Sequence, residues 1–152
     1  MARVLVPLAN GCEELEAVTV IDLLRRSGIE VVTAGLAEGP VTASRGVVLV
    51  PDTSLDQVFE DEFDMIVLPG GLPGADHLDA DPRIHTLLHR MAEQERYTAA
   101  ICAAPKVLLN AGLLDGREAT AYPGVIDGRM TANSRLRADA VVTDGKVVTS
   151  RG

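Results

Sequence analysis

Cys102 stands between an apolar run, Tyr97 to Ile101, and Ala103-Ala104-Pro105, which opens a second apolar run ending at Gly112. A strand feeding a cysteine that feeds a helix is the layout of a nucleophile held on a sharp turn, where neighbours must be small. Ile101, Ala103 and Ala104 mostly meet that demand. The helix expected from Pro105 points its N-terminus at the sulfur, which favours thiolate over thiol. Backbone amides at the same place suit a developing oxyanion. The competing reading is a buried cysteine filling a tight corner, a common fate for this residue.

Glu16 bears on that choice. On a wheel of 100° per residue it falls between Val20 and Leu23, beside the stripe of Ala17, Val20, Ile21 and Leu24. Glu14, Asp22, Arg25 and Arg26 lie elsewhere on the circumference, as solvated charges do. A carboxylate on the buried edge of a helix is costly unless protonated or paired. Sharing a pocket with Cys102, a protonated Glu16 would donate a hydrogen bond to sulfur and shuttle protons. Otherwise it reaches past the helix edge into water.

Other candidates carry less. Leu68 to Gly74, LPGGLPG, offers backbone amides without side-chain obstruction, or is an ordinary tight turn. His85 and His89 have the i, i+4 spacing a zinc pair can use, but lie off the Ile84-Leu88-Met91 face with no third ligand in view, so they read as solvated. His77 reads as a loop residue. Cys12, four residues before Glu16, is either a small residue at the helix start or a resolving thiol for oxidised Cys102.

The elements that must position these residues follow from periodicity and turn chemistry. Strands are expected at Arg3–Leu8, Ile29–Gly35, Asp64–Leu68 and Thr98–Ile101, with short pieces at Pro40–Ser44 and Gly46–Pro51. Helices are expected over Glu13–Ser27 closed by Gly28, over Pro82–Glu95 with Asp81 as N-cap, and over Pro105–Asn110. Asp144-Gly145 between two valine-rich runs predicts a hairpin. Alternation of strand and helix implies an α/β fold, a mainly parallel sheet with both faces covered. Ligands of such sheets bind at the carboxyl ends of the strands. LANGCEE, LPGGLPG and ICAAP all fall there, a convergence that depends on no single residue.

Composition narrows the class. The 152 residues suit one domain, and only 3% are aromatic, so the core must be aliphatic. A formal charge of −8 with scattered arginines argues against nucleic acid as a partner. The chain offers neither a membrane-spanning apolar run nor a signal peptide, so a cytoplasmic protein with two reduced cysteines is expected.

Taken together, GCEELEAV (11–18), LLRRSGIEVVTAGL (23–36), SRGVVLVPD (44–52), VLPGG (67–71), AAICAAP (99–105) and TSRG (149–152) resemble the ThiJ/PfpI superfamily, in the Parkinson-associated deglycase and YajL-like subgroup. The resemblance covers essentially the whole chain. It implies a flavodoxin-like three-layer sandwich with a nucleophile elbow, and a homodimer. It makes Cys102 the nucleophile and redox-sensitive thiol, and Glu16 the protonated acid beside it. Gly71 and Ala103, with Gly70, would present backbone amides to sulfur or a bound oxyanion. Arg26 and Arg45 would lie near the pocket, Arg26 from the partner subunit. The implied reaction converts 2-oxoaldehydes such as methylglyoxal to hydroxy acids as a glyoxalase III does, with no cofactor or metal, and extends to repair of early glycation adducts on proteins. A non-catalytic oxidative-stress sensor or redox-regulated chaperone is the alternative, and a PfpI-like amide hydrolase the second. Tyr122 stands where some members place a histidine, which weakens the hydrolase reading. The chain stops at Arg151-Gly152 where relatives continue into a final helix, so residues 1–152 are expected to be one domain lacking it.

Overall fold

The computed structural model describes residues 1–152. In chain order its elements are β1 (Arg3–Leu8), α1 (Glu14–Arg26), β2 (Glu30–Gly35), β3 (Val41–Thr42), β4 (Val48–Leu49), β5 (Thr53–Ser54), α2 (Leu55–Val58), β6 (Met65–Leu68), α3 (Gly74–Ala80), α4 (Pro82–Glu93), β7 (Tyr97–Ile101), α5 (Pro105–Asn110), β8 (Glu118–Ala119), β9 (Arg135–Leu136), β10 (Val141–Asp144) and β11 (Val147–Ser150).

The main sheet runs β10-β11-β7-β6-β1-β2-β5, parallel except for the β10–β11 hairpin. Without its edge strands this is the 2-1-3-4-5 order of flavodoxin-like sheets. From β1 the chain steps to β2 on one side and later returns to β6 on the other. Such a reversal opens a crevice at the carboxyl ends of the two central strands.

Alternation along the strands divides the core in two. Leu5, Ile66, Leu68 and Ala100 point into the larger cluster, with Leu78, Ile84, Leu88, Val107 and Leu108 from α3, α4 and α5. Val4, Val6, Leu8, Val67 and Ala99 point into the other, covered by α1 and the β3–β4 ribbon.

Local signals explain the ends of the helices that matter. Glu13 caps α1 by accepting the Leu15 N–H, and Gly28 leaves it at φ 81°. Acidic residues fill the first turn of α1 and Arg25 and Arg26 the last, matching the helix dipole. Asp81 accepts the Arg83 N–H at 2.9 Å and Pro82 takes the first turn of α4.

The expectations hold for the pieces around residues 40–51 and for His85 and His89, and need correction at His77. The short pieces at Pro40–Ser44 and Gly46–Pro51 form β3 and β4, an antiparallel ribbon of two residues a side beside the main sheet. His77 lies not in a loop but on α3, its Nδ1 within 2.8 Å of the Asn10 carbonyl. His85 is half-buried and His89 exposed, as a solvated face implies, with His85 in contact with Asp79 and His89 with the Ala111 carbonyl at 2.7 Å. No helix is long and apolar enough to cross a membrane.

Candidate active site

Cys102 sits directly after β7 with φ 63°, a left-handed conformation that costs a non-glycine residue about 1–2 kcal/mol. Its surroundings hold it there. The Cys102 N–H donates to the Ser150 carbonyl at the end of β11, and the Cys102 carbonyl accepts the Tyr122 N–H, both at 2.8 Å. Ala104 N–H closes the turn on Ile101. A strained residue pinned by two remote segments is a mark of functional sites.

Glu16 arrives from the first turn of α1, and β6 supplies the link. The Glu13 N–H donates to the Gly70 carbonyl at 2.9 Å, and the Gly70 N–H donates back to Glu16 Oε1 at 3.1 Å. Gly70 tolerates no side chain, since a Cβ there would stand 2.6 Å from Glu16 Oε1 and 2.7 Å from Cys102 Cβ. Gly71, at φ 89°, packs as tightly against the Glu13 amide. The Glu16 carboxyl hydrogen-bonds the Cys102 thiol, and the N–H groups of Ala103 and Gly71 are directed at the same sulfur. Glu16, Gly70 and Cys102 follow β1, β6 and β7 in the chain, so the pair stands at the carboxyl ends of these neighbouring strands.

The electrostatics of the pair are set by burial and by each group's effect on the other. Burial pushes the Glu16 carboxyl above its ordinary value, against the pull of Cys102 and Gly70. The Cys102 thiol was expected to be acidic. It is instead pushed up to about 11, by burial first and then by the charge and hydrogen bond of Glu16. The amides of Ala103 and Gly71 pull it down but do not outweigh these, and α5 has only six residues to supply a dipole. The pair thus grips one proton. With the proton on sulfur, the thiol donates to the Glu16 carboxylate. Transfer to Glu16 leaves a thiolate that accepts from a neutral carboxyl and two amides.

The remaining candidates are not brought to the sulfur by one chain. Arg26 is exposed and paired with Asp22 at 2.9 Å, ten residues and about 15 Å along α1 from Glu16. Arg45 is exposed and tied by its N–H to the Glu14 carboxylate. Tyr122 meets the site through its backbone, with a side chain 56% exposed. Cys12 precedes α1, is fully buried in the core, and has its thiol raised to about 11 by burial, which suits packing and not a resolving role. No group of three His, Cys, Asp or Glu side chains is placed to hold a metal ion. The larger clefts, of 530 Å³ beside His77 and 730 Å³ beside Arg96, are lined by neither Cys102 nor Glu16. Ser150 and Gly152 also border the site, which sequence reasoning missed although TSRG follows a strand as ICAAP does.

Residues 2–152 match the profile of the DJ-1/PfpI family. The chain belongs to that family. This DJ-1/PfpI chain is 44% identical to the protein dj-1beta of Drosophila melanogaster, over 97% of its own length and 80% of the relative's. It is 33% identical to a deglycase of Pyrococcus horikoshii, over 98% of its length and 89% of the relative's. The structure of oxidised DJ-1 from Toxoplasma gondii superimposes with a TM-score of 0.95 at 40% identity, covering 100% of this DJ-1/PfpI chain and 83% of the other. The flavodoxin-like arrangement is that of the family.

Proposed function

We propose that the protein is a cofactor-independent cysteine enzyme of carbonyl-stress defence, converting 2-oxoaldehydes such as methylglyoxal to hydroxy acids. The observation that carries this reading is the Glu16 carboxyl set against the Cys102 thiol, with the Gly70 N–H on its Oε1 and the Gly71 and Ala103 amides beside the sulfur. Glu16 takes the thiol proton, and sulfur attacks the aldehyde carbon. The carbonyl oxygen, facing the Gly71 and Ala103 amides, receives the proton back to give a hemithioacetal. Glu16 then removes the proton from that carbon and returns it to the neighbouring one, while the hydroxyl proton passes to the ketone oxygen, leaving a thioester. Water hydrolyses the thioester, releasing lactate from methylglyoxal and restoring the thiol. No redox partner enters, because one carbon is oxidised as its neighbour is reduced.

The same attack applies to early glycation adducts, and the name of the Pyrococcus relative supports a deglycase role. The oxidised Toxoplasma relative supports the second reading, a sensor in which Cys102 is oxidised and not turned over. Lactate formation from methylglyoxal by the wild type, Cys102→Ser and Glu16→Gln decides between them. Turnover lost in both variants is expected, and none in folded wild type leaves the sensor.

A homodimer is part of the same proposal. α1 exposes Leu15, Val18 and Leu23, and the adjoining ribbon exposes Val47, Val48 and Val50, an apolar surface that a second copy would cover. Val18→Glu is expected to convert dimer to monomer in sedimentation, and a monomeric wild type would sink this part.

A further inference from the structure

Gly152 lies two residues beyond Ser150, whose carbonyl holds the Cys102 N–H, and its backbone faces the reacting pair. A Cβ built on Gly152 would stand 3.0 Å from Cys102 Cβ, 3.1 Å from Glu16 Oε2 and 3.3 Å from Cys102 Sγ. The last value is the separation of reacting atoms poised for attack, roughly 3–3.5 Å. The space a side chain would take at Gly152 is therefore the space an electrophilic carbon needs.

Gly70, Gly71 and Ala103 fill other approaches to the cysteine. Gly70 closes against Cys102 Cβ and Glu16 Oε1, and the amides of Gly71 and Ala103 are directed at the sulfur. Glu16 shows a matching asymmetry. Its Oε1 accepts the Gly70 N–H, so the proton of a neutral carboxyl sits on Oε2, the oxygen that faces Gly152. A carbon resting over Gly152 has the nucleophile on one side and a transferable proton on the other.

The geometry points to Gly152 as the specificity-determining residue of the Cys102 site, the volume of its missing side chain being the subsite for the attacked carbon. That volume is about one methyl group, so it takes an unbranched carbon, such as a terminal aldehyde bearing one hydrogen and one substituent. A carbon bearing two carbon substituents is excluded. Of the two carbonyls in a 2-oxoaldehyde, the aldehyde is attacked and the ketone is not. The identity of the substrate rests on the function proposed above, whereas the position of the subsite does not.

Alkylation of Cys102 tests the subsite without turnover. Thiolate displaces iodide from iodoacetamide, whose reacting carbon is unbranched, or from 2-iodopropanamide, whose reacting carbon carries a methyl. In the wild-type chain the branched reagent is expected to be slower, relative to the unbranched one, by about tenfold or more when folded than when unfolded. Gly152→Ala is expected to slow iodoacetamide by about 10²-fold with the pH midpoint of alkylation unmoved. Gly128→Ala, at φ 73° with nothing within 4 Å, controls for an alanine forced into a left-handed turn and should leave the rate unchanged. Equal iodoacetamide rates in Gly152→Ala and wild type, or no added discrimination on folding, would overturn the inference. A wild type that makes no lactate while Gly152→Ala blocks alkylation removes the 2-oxoaldehyde chemistry and leaves the subsite standing. Lactate formation with unhindered alkylation of Gly152→Ala does the reverse.

Discussion

Gly70→Ala isolates the contact that joins the two halves of the site. Gly70 is not at positive φ, so alanine meets no backbone strain there and the cost is all contact. The new Cβ would stand 2.6 Å from Glu16 Oε1, 2.7 Å from Cys102 Cβ and 2.7 Å from the Ile101 carbonyl. Ordinary contact begins at 3.4 Å, so neighbours must retreat by about 0.7 Å, and one of them is the main chain of β7. Overpacking of this kind costs about 1–3 kcal/mol. Loss of the Gly70 N–H bond to Glu16 adds about 1.5 kcal/mol. A total of about 2.5–4.5 kcal/mol lowers the melting temperature of a chain this size by about 5–18 °C. Because Glu16 and Cys102 are pushed apart, the rate of Cys102 alkylation should also lose its dependence on Glu16. Thermal denaturation and alkylation of Gly70→Ala, with and without Glu16→Gln, read both effects. An unchanged melting temperature, or an undiminished response to Glu16→Gln, would refute the packing argument.

Glu16→Gln removes the charge and the accepting carboxylate that raise the Cys102 thiol, leaving burial as the main upward cause. The pH midpoint of Cys102 alkylation should therefore fall, and an unmoved midpoint would mean that Glu16 carries no charge beside the sulfur. Glu14 accepts the N–H groups of Arg45 and Val47 and the Ser44 hydroxyl, and its carboxyl is held below the ordinary value by its backbone and side-chain hydrogen bonds in spite of a desolvation cost. A depressed carboxyl contributes stability that is present above its unfolded value and lost as pH falls through its folded one. Hydrogen exchange at Arg45 and Val47 should accelerate on acidification below the ordinary glutamate range, and pH-independent protection would contradict the latch. Asp81→Ala removes the N-cap of α4 and the Arg83 partner at 2.6 Å, at a cost of about 1–2 kcal/mol in denaturant titration. Equal stability of Asp81→Ala and wild type would show that the cap is redundant.

The core of the site was legible because its signals are local. Small residues around Cys102, a carboxylate beside the apolar stripe of α1 and a double glycine after an apolar strand each follow from short-range chemistry. The parallel order gathered them at one edge of the sheet. α3 escaped notice because GADHLDA follows a Gly- and Pro-rich stretch and has only Ala75 and Leu78 to mark a buried face beyond its first glycine. The direction of the thiol shift was not legible, since it depends on how deeply the sulfur is buried and on a charge 86 residues away in sequence. The resemblance implies that Arg26 and Arg45 lie near the pocket, yet one chain leaves both in solvent. Gly152 went unrecognised because its role comes from what it lacks, which only the packed site reveals.

The three groups that fix Cys102 come from opposite ends of the chain: Glu16 near the start, Tyr122 and Ser150 toward the finish. During synthesis α1 emerges early and β11 late. Until Ser150 has been added, the Cys102 N–H lacks its partner and only the Tyr122 N–H is available to pin the left-handed turn. The sulfur is therefore an ordinary turn thiol on the ribosome and acquires its geometry only as β11 docks. A chain stalled before that point carries the cysteine without its chemistry.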